Sequence, residues 1–132
     1  MPQVNLIAVL LCGVASLLLG GLWYSPVLFG KAWQRGASLS DEQAKSGNMA
    51  AIFGGAFALS LVAAYVFGMF LGNSMGVHES ASAGFAAGLC WVAASFGINY
   101  LFERRPVALW LINGGYHTLQ FTLFGLILGL VR

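Results

Sequence analysis

The side chains best suited to chemistry lie close together inside an otherwise apolar segment that is long enough to cross a bilayer. At about 100° per residue they fall within about a third of the circumference of an α-helix. These residues are Asn113, Tyr116, His117 and Gln120. Polar groups in hydrocarbon need partners inside the protein, so we expect this face to look into a protein interior or a cavity.

His117 allows two interpretations. It can be neutral and hydrogen-bonded to Asn113, Gln120, Tyr24 or Tyr100, in which case it fastens the helices together. Such bonds contribute only ~0.6–2 kcal/mol each in a membrane. Alternatively, it titrates near neutral pH and couples proton movement to a small solute.

Other chemistry finds little support. His78 and Cys90 do not have ligand spacing with His117, so we expect no metal site. The sequence has no G-x-S-x-G elbow, and no acidic residue within a span is available to orient His117, so we predict that the protein is not an enzyme. His78 and Glu79 are best interpreted as solvated loop residues. We also expect no cofactor, because no phosphate-binding glycine loop or haem-attachment motif occurs.

Composition predicts a membrane protein. The chain has 132 residues, 59% of them hydrophobic and 8% charged, whereas soluble domains have roughly 25% charged residues. A net charge of +2 is too small to indicate a nucleic-acid partner. Cys12 and Cys90 both lie in apolar stretches and are interpreted as small buried residues. We expect one domain, residues 1–132, whose core lies between membrane helices.

The apolar segments predict an all-α polytopic protein with four transmembrane helices in an antiparallel bundle. The predicted spans are about residues 4–22, 48–71, 80–102 and 107–131. A signal peptide is the rival interpretation of the first span, but residues 1–3 have no basic side chain and no small-residue cleavage site follows. Glycines spaced by four residues, in the pairs Gly84/Gly88 and Gly125/Gly129, predict close helix packing. The hairpin of the last two spans places Asn99 level with Asn113, which predicts a hydrogen bond between them.

The segment after the first span predicts a membrane-surface element. Trp and Tyr favour the headgroup level, and proline ends helices. The predicted interfacial anchor residues are Trp23, Tyr24, Pro26 and Trp33. Residues 27–35 mix apolar and basic side chains, as a short segment lying on the membrane does; a substrate gate is the alternative interpretation. Further on, Ser40 and Gln43 match a capping box.

Charge predicts the orientation. Five of the six basic residues lie in the loops 23–47 and 103–106, and only Arg132 lies on the opposite side. This asymmetry predicts cytoplasmic loops, with the N- and C-termini outside. We expect the protein to be in the plasma membrane, the inner membrane if the cell is bacterial.

Three stretches resemble a known family. Residues 21–30 contain Trp23-Tyr24-Ser25-Pro26, and the sequence later contains Asn99-Tyr100-Leu101-Phe102-Glu103-Arg104-Arg105 and Asn113-Gly114-Gly115-Tyr116-His117. They are similar to blocks in the bacterial and fungal membrane proteins catalogued as domain of unknown function 1761. The resemblance covers nearly the whole chain and implies a four-helix integral membrane protein. It implies no activity, cofactor or catalytic residue.

Two classes of function remain. One is a small-solute or proton-linked transporter or channel component, with the polar face centred on His117. The other is a structural or accessory subunit that packs through glycine-rich helix faces against a larger membrane complex. An enzyme acting on lipid is a distant third. We expect the lipid bilayer as a partner in either case, and a homo-oligomer or a larger complex.

Overall fold

The computed structural model describes residues 3–132, and the protein in that range is all-helical, without a β-strand. This confirms the predicted all-α fold class. The helices are α1 (Leu6–Trp23), α2 (Gly30–Gly36), α3 (Asp41–Lys45), α4 (Met49–Leu71), α5 (Val77–Ala87), α6 (Ala94–Glu103) and α7 (Val107–Leu130). A π-helical segment, Gly88–Ala93, joins α5 to α6 without a break.

Within residues 3–132, three helical stretches are long and apolar enough to cross a membrane: Leu6–Trp23, Met49–Leu71 and Val77–Glu103. Their outward side chains are apolar and strongly exposed, as a lipid-facing surface requires; Phe102, for example, is 86% exposed. Helix α7 has 24 residues, but its polar stretch between Asn113 and Gln120 lowers its mean hydropathy. A fourth span therefore stays a prediction.

Polar side chains cap the start of α1, α3 and α4. The predicted capping box is confirmed: the Ser40 hydroxyl accepts from the Gln43 backbone N–H at 3.1 Å, and the Gln43 side chain accepts from the Ser40 N–H at 2.9 Å. Asn5 caps α1 and Asn48 caps α4 through their side-chain oxygens. These caps satisfy backbone donors that a helix leaves open at its start.

Helix α5 and the π-helical segment contact α7 backbone to backbone. A Cβ at Gly84 would overlap the carbonyl of Phe121, and a Cβ at Gly125 would overlap the carbonyl of Ser80. Both glycine pairs predicted from the sequence thus lie where two backbones touch. Only glycine permits this separation, which maximises van der Waals contact between membrane helices.

The apolar core lies between α1, α4, α5 and α7, near the end of the molecule that carries the termini. Its buried members are Ala8, Val9, Cys12, Ala64, Phe67, Leu71, Ala87, Phe124 and Leu128. Phe124 and Cys12 are fully buried. Cys90, by contrast, is exposed, so its predicted burial is wrong: it lies on the outward side of the π-helical segment.

The two halves of α4 differ. Its second half packs on the core through Ala64, Phe67 and Leu71. In its first half, residues 49–59, no residue is buried, and a Cβ at Gly54 or Gly55 would meet open space. In this half Phe57 packs against Gly13 of α1, while the side with Gly54 and Gly55 faces no other helix among residues 3–132.

Candidate functional site: a polar face between α1 and α7

Asn113 joins three elements through its amide. The Tyr24 hydroxyl, just after α1, donates to Asn113 Oδ1 at 2.6 Å, and Asn113 Nδ2 donates to the Tyr100 hydroxyl on α6 at 2.7 Å. Burial raises the pKa of Tyr24, so its phenol stays a proton donor well above neutral pH. Both ends of the amide are therefore satisfied within the protein.

The predicted pairing of Asn99 with Asn113 is wrong. Asn99 is exposed on α6, and the partner of Asn113 on that helix is the adjacent Tyr100. The hairpin argument gives the depth of a residue but not the direction in which its side chain points. The π-helical segment changes that direction, because an additional residue per turn rotates everything that follows by about 100°.

Gln120 forms the deepest part of the polar face. Its Nε2 donates to the hydroxyls of Ser16 on α1 at 3.0 Å and Ser60 on α4 at 3.4 Å. Its Oε1 lies 2.7 Å from Nδ1 of His117. Gln120 is only 5% exposed, so these contacts replace those that water would make.

His117 is held by that contact and by two rings. Since Gln120 Oε1 is an acceptor, a neutral imidazole bonded to it carries its hydrogen on Nδ1, and Nε2 keeps a lone pair. The ring stacks on Phe96 at a centroid separation of 5.1 Å and meets Tyr116 edge-on at 4.9 Å. The protein thus fixes the orientation of His117 and leaves one nitrogen able to accept a proton.

Tyr116 completes the face. Its hydroxyl donates to the backbone carbonyl of Ser16 at 2.9 Å. Ser16 therefore accepts from two residues of α7, through its carbonyl from Tyr116 and through its hydroxyl from Gln120. The structure thus brings together four of the five predicted face residues, Asn113, Tyr116, His117 and Gln120, and leaves Asn99 outside.

Two tryptophans bind backbone carbonyls in a way that the sequence did not reveal. Trp23 Nε1 donates to the carbonyl of Ile112 at 2.8 Å, so this predicted membrane anchor also ties α1 to α7. Trp110 Nε1 donates to the carbonyl of Ala93 at 2.8 Å, at the end of the π-helical segment. Wide π turns are frequent at functional sites. Neither contact has a sequence signal, because any backbone carbonyl is a potential acceptor.

The segment after α1 folds back tightly over the start of α7. A Cβ at Gly30 would collide with the backbone of Tyr24 and Ser25, which explains a glycine four residues after Pro26. The Trp33 ring meets Tyr24 edge-on at 5.7 Å. Of the four predicted anchor residues, Trp23, Tyr24 and Trp33 are thus partly buried against the protein, and Pro26 is exposed.

A cavity of about 220 Å³ reaches this polar face from the end of the molecule that carries the loops 23–47 and 103–106, which we call the loop end. Asn113 and Tyr100 line its inner part, and Glu103, Arg105 and Trp33 line it towards the loops. At the opposite end of the molecule, a cavity of about 450 Å³ lies against Gly68, Leu71 and Leu128. The buried apolar core, with Phe124 at its centre, lies between Gln120 and that second cavity.

No Asp, Glu, Lys or Arg side chain belongs to this face as the structure describes it. Among residues 3–132, no group of three or more His, Cys, Asp or Glu side chains is close enough to hold a metal ion. His78 and Glu79 are exposed in the first turn of α5, which begins at Val77, three residues earlier than predicted. The face therefore consists of hydroxyls, amides and one imidazole.

Comparison with known proteins identifies a family without a known activity. No curated protein and no solved structure matches the chain. One family model matches residues 7–129, a range that includes every residue of the polar face. The chain belongs to the family described as protein of unknown function (DUF1761), as its sequence blocks predict.

Proposed function

We propose that this protein is a four-span membrane protein of the plasma membrane that carries a small polar solute, or a component of such a transporter, rather than an enzyme. One observation carries the proposal: a row of polar side chains leads from a loop-end cavity into the interior. It begins at Asn113 in the cavity wall and ends at Gln120.

The length of this row supports a solute pathway that extends from one membrane surface to about the middle of the bilayer. At 1.5 Å per residue, α7 is about 36 Å long, enough to cross a hydrocarbon core of about 30 Å as the fourth span. Gln120 lies 13 residues after Val107, at a depth of about 20 Å. Beyond it, the apolar core around Phe124 closes the route to the other cavity. A pathway open to one side at a time is the arrangement that alternating access requires.

The chemistry of the row favours a neutral or weakly charged solute. Hydroxyls, amides and a neutral imidazole donate and accept hydrogen bonds without a fixed charge. A solute that enters exchanges these internal bonds for its own. His117 is able to take a proton on Nε2 while Nδ1 remains bonded to Gln120, which offers a way to link transport to protons.

The orientation follows from charge. Trp33 and Arg105 line one cavity, so the two basic loops lie at the same end of the molecule. We propose that this end is cytoplasmic and that both termini are outside. Reporters fused to the C-terminus test this: activity only of a cytoplasmic reporter would contradict it.

Reconstitution into liposomes with a pH gradient tests transport. The variant is His117→Gln, and the matched control is His78→Gln, which changes the exposed histidine of α5. We expect His117→Gln to slow uptake at least tenfold and to remove its pH dependence, while the control transports as the wild type does. Equal flux of both variants across a panel of small polar solutes and protons would contradict the proposal.

A second candidate function, an accessory subunit, rests on α4. Its first half has no buried residue, and Gly54 and Gly55 face open space, as suits a partner helix that approaches closely. Purification in a mild detergent, followed by mass spectrometry, should then recover a stoichiometric membrane partner. Recovery of a lone monomer from native membranes would contradict this function, and a homo-oligomer would fit the transporter.

A further inference from the structure

A groove of about 360 Å³ lies between the end of α6 and the start of α7, beside the polar face, with which it shares Tyr100. We call it the α6–α7 groove. Leu101, Val107 and Trp110 form its apolar wall, and Arg104 and Arg105 lie at its loop end. Leu101 is 80% exposed and Val107 is 69% exposed, so the apolar wall continues into the lipid-facing surface.

The charge at the loop end of the groove is positive. Arg105 Nε is 3.3 Å from Glu103 Oε1, so this arginine is paired. Within residues 3–132, Arg104 forms no ion pair, and its guanidinium charge is uncompensated. The Trp110 N–H is already bonded to Ala93, so Trp110 offers the groove its apolar ring.

The backbone of Arg104 is unusual. Its φ of 58° and ψ of 39° lie in the left-handed region, where glycine ends a helix without steric penalty. The turn is closed by bonds from the Arg105 N–H to the Tyr100 carbonyl at 2.9 Å and from the Arg104 N–H to the Leu101 carbonyl at 3.4 Å. Arginine at this position is unfavourable for the backbone, and such strain is concentrated at binding sites.

We propose that the α6–α7 groove binds an anionic phospholipid, with its phosphate on Arg104 and an acyl chain along Leu101, Val107 and Trp110. A free anion would satisfy the arginine but leave the apolar wall uncovered. A zwitterionic lipid would bring its own cation towards Arg104. An anionic lipid complements both parts of the groove and reaches it sideways from the bilayer. This site does not depend on the proposed transport function.

Native mass spectrometry of the detergent-solubilised protein, titrated with phosphatidylglycerol or phosphatidylcholine, tests the proposal. For the wild type we expect phosphatidylglycerol to bind at least tenfold more tightly than phosphatidylcholine. Arg104→Gly should remove most of this preference, and Arg104→Lys should retain part of it. Arg132→Gln, which removes one charge at the opposite end of the chain, is the matched control and should bind as the wild type does.

Arg104→Gly also separates binding from folding. Glycine removes the steric strain that a side chain causes in the left-handed backbone conformation. The variant should therefore unfold at an equal or higher temperature than the wild type, although it binds phosphatidylglycerol more weakly. Equal affinity for the two lipids would overturn the proposal, as would equal loss of binding in Arg104→Gly and Arg132→Gln. Displacement of phosphatidylglycerol by millimolar inorganic phosphate would also overturn it, because the site would then be one for free anions.

Discussion

The two faces of α7 are built on different principles. Towards α5 and the π-helical segment, glycines bring backbones into direct contact, as at Gly84 and Gly125. Towards α1, separate hydrogen bonds join the helices, such as those of Asn113 and Gln120. The contact with α5 requires that side chains be absent, whereas the contact with α1 requires polar side chains that form hydrogen bonds.

This difference separates stability from function. A backbone contact has no room for a methyl group, so it fixes the relative position of α5 and α7. The hydrogen bonds of the polar face contribute only ~0.6–2 kcal/mol each and are individually replaceable. The side chains able to do chemistry therefore lie on the face that tolerates rearrangement, supported by the face that does not.

The largest expected effect is that of a methyl group on the glycine face. Gly84→Ala forces α5 away from the Phe121 carbonyl and should lower the free energy of unfolding by about 3 kcal/mol. Gly54→Ala is the control: its Cβ meets open space, so the gain in helix propensity should make it neutral or up to about 1 kcal/mol more stable. Equilibrium unfolding in mixed detergent micelles measures both. Equal stabilities would refute the importance of the close contact.

Removing the amide of Gln120 should have the next largest effect. Gln120→Leu leaves Ser16, Ser60 and His117 without their partner and should cost about 2 kcal/mol in the free energy of unfolding. Gln34→Leu is a matched control, because Gln34 makes one side-chain bond at the exposed surface, to Asp41. It should change stability by at most about 0.5 kcal/mol. If the two variants unfold alike, the buried bonds do not hold the polar face together.

The polar face was predictable because hydrocarbon makes unpaired polar groups unfavourable and helical periodicity groups them on one side. This reasoning correctly predicts that Asn113 and Gln120 share an interior face. It fails for Asn99, because the π-helical segment that precedes α6 rotates the rest of the helix. That segment has no recognisable sequence pattern. Trp23 and Trp110 could not be assigned either, because their acceptors are backbone carbonyls, which every residue has.

A smaller effect is expected at Tyr24, where the polar face reaches the loops. Tyr24→Phe removes one hydrogen bond to Asn113 and should lower the free energy of unfolding by about 1 kcal/mol at neutral pH. Burial raises the pKa of Tyr24 in the folded protein above the value near 10 of an unfolded chain. The resulting contribution to stability is therefore complete below pH 10 and is lost as the pH rises above it.

Unfolding measured between pH 8 and pH 11 tests this difference. The wild type should lose stability above pH 10 more steeply than Tyr24→Phe, which lacks the titrating phenol. Lysines affect both proteins equally, so the comparison isolates Tyr24 together with Tyr100 and Tyr116, which interact with it. Parallel pH curves would show that Tyr24 is as accessible to solvent when folded as when unfolded.

The smallest expected effect is that of Ser80→Ala, which tests whether the contact of α7 with α5 depends on a side-chain hydrogen bond. Ser80 lies on α5 close to Gly129, and its buried hydroxyl has no partner among residues 3–132. Ser80→Ala removes an unsatisfied polar group and should leave the protein equally stable or about 0.5 kcal/mol more stable. Ser16→Ala is the counterpart on the polar face and should be destabilising, since it removes the bond from Gln120. Equal destabilisation by the two variants would mean that both faces of α7 depend on hydroxyl groups. The glycine contact with α5 and the hydrogen-bonded contact with α1 would then not differ in what stabilises them.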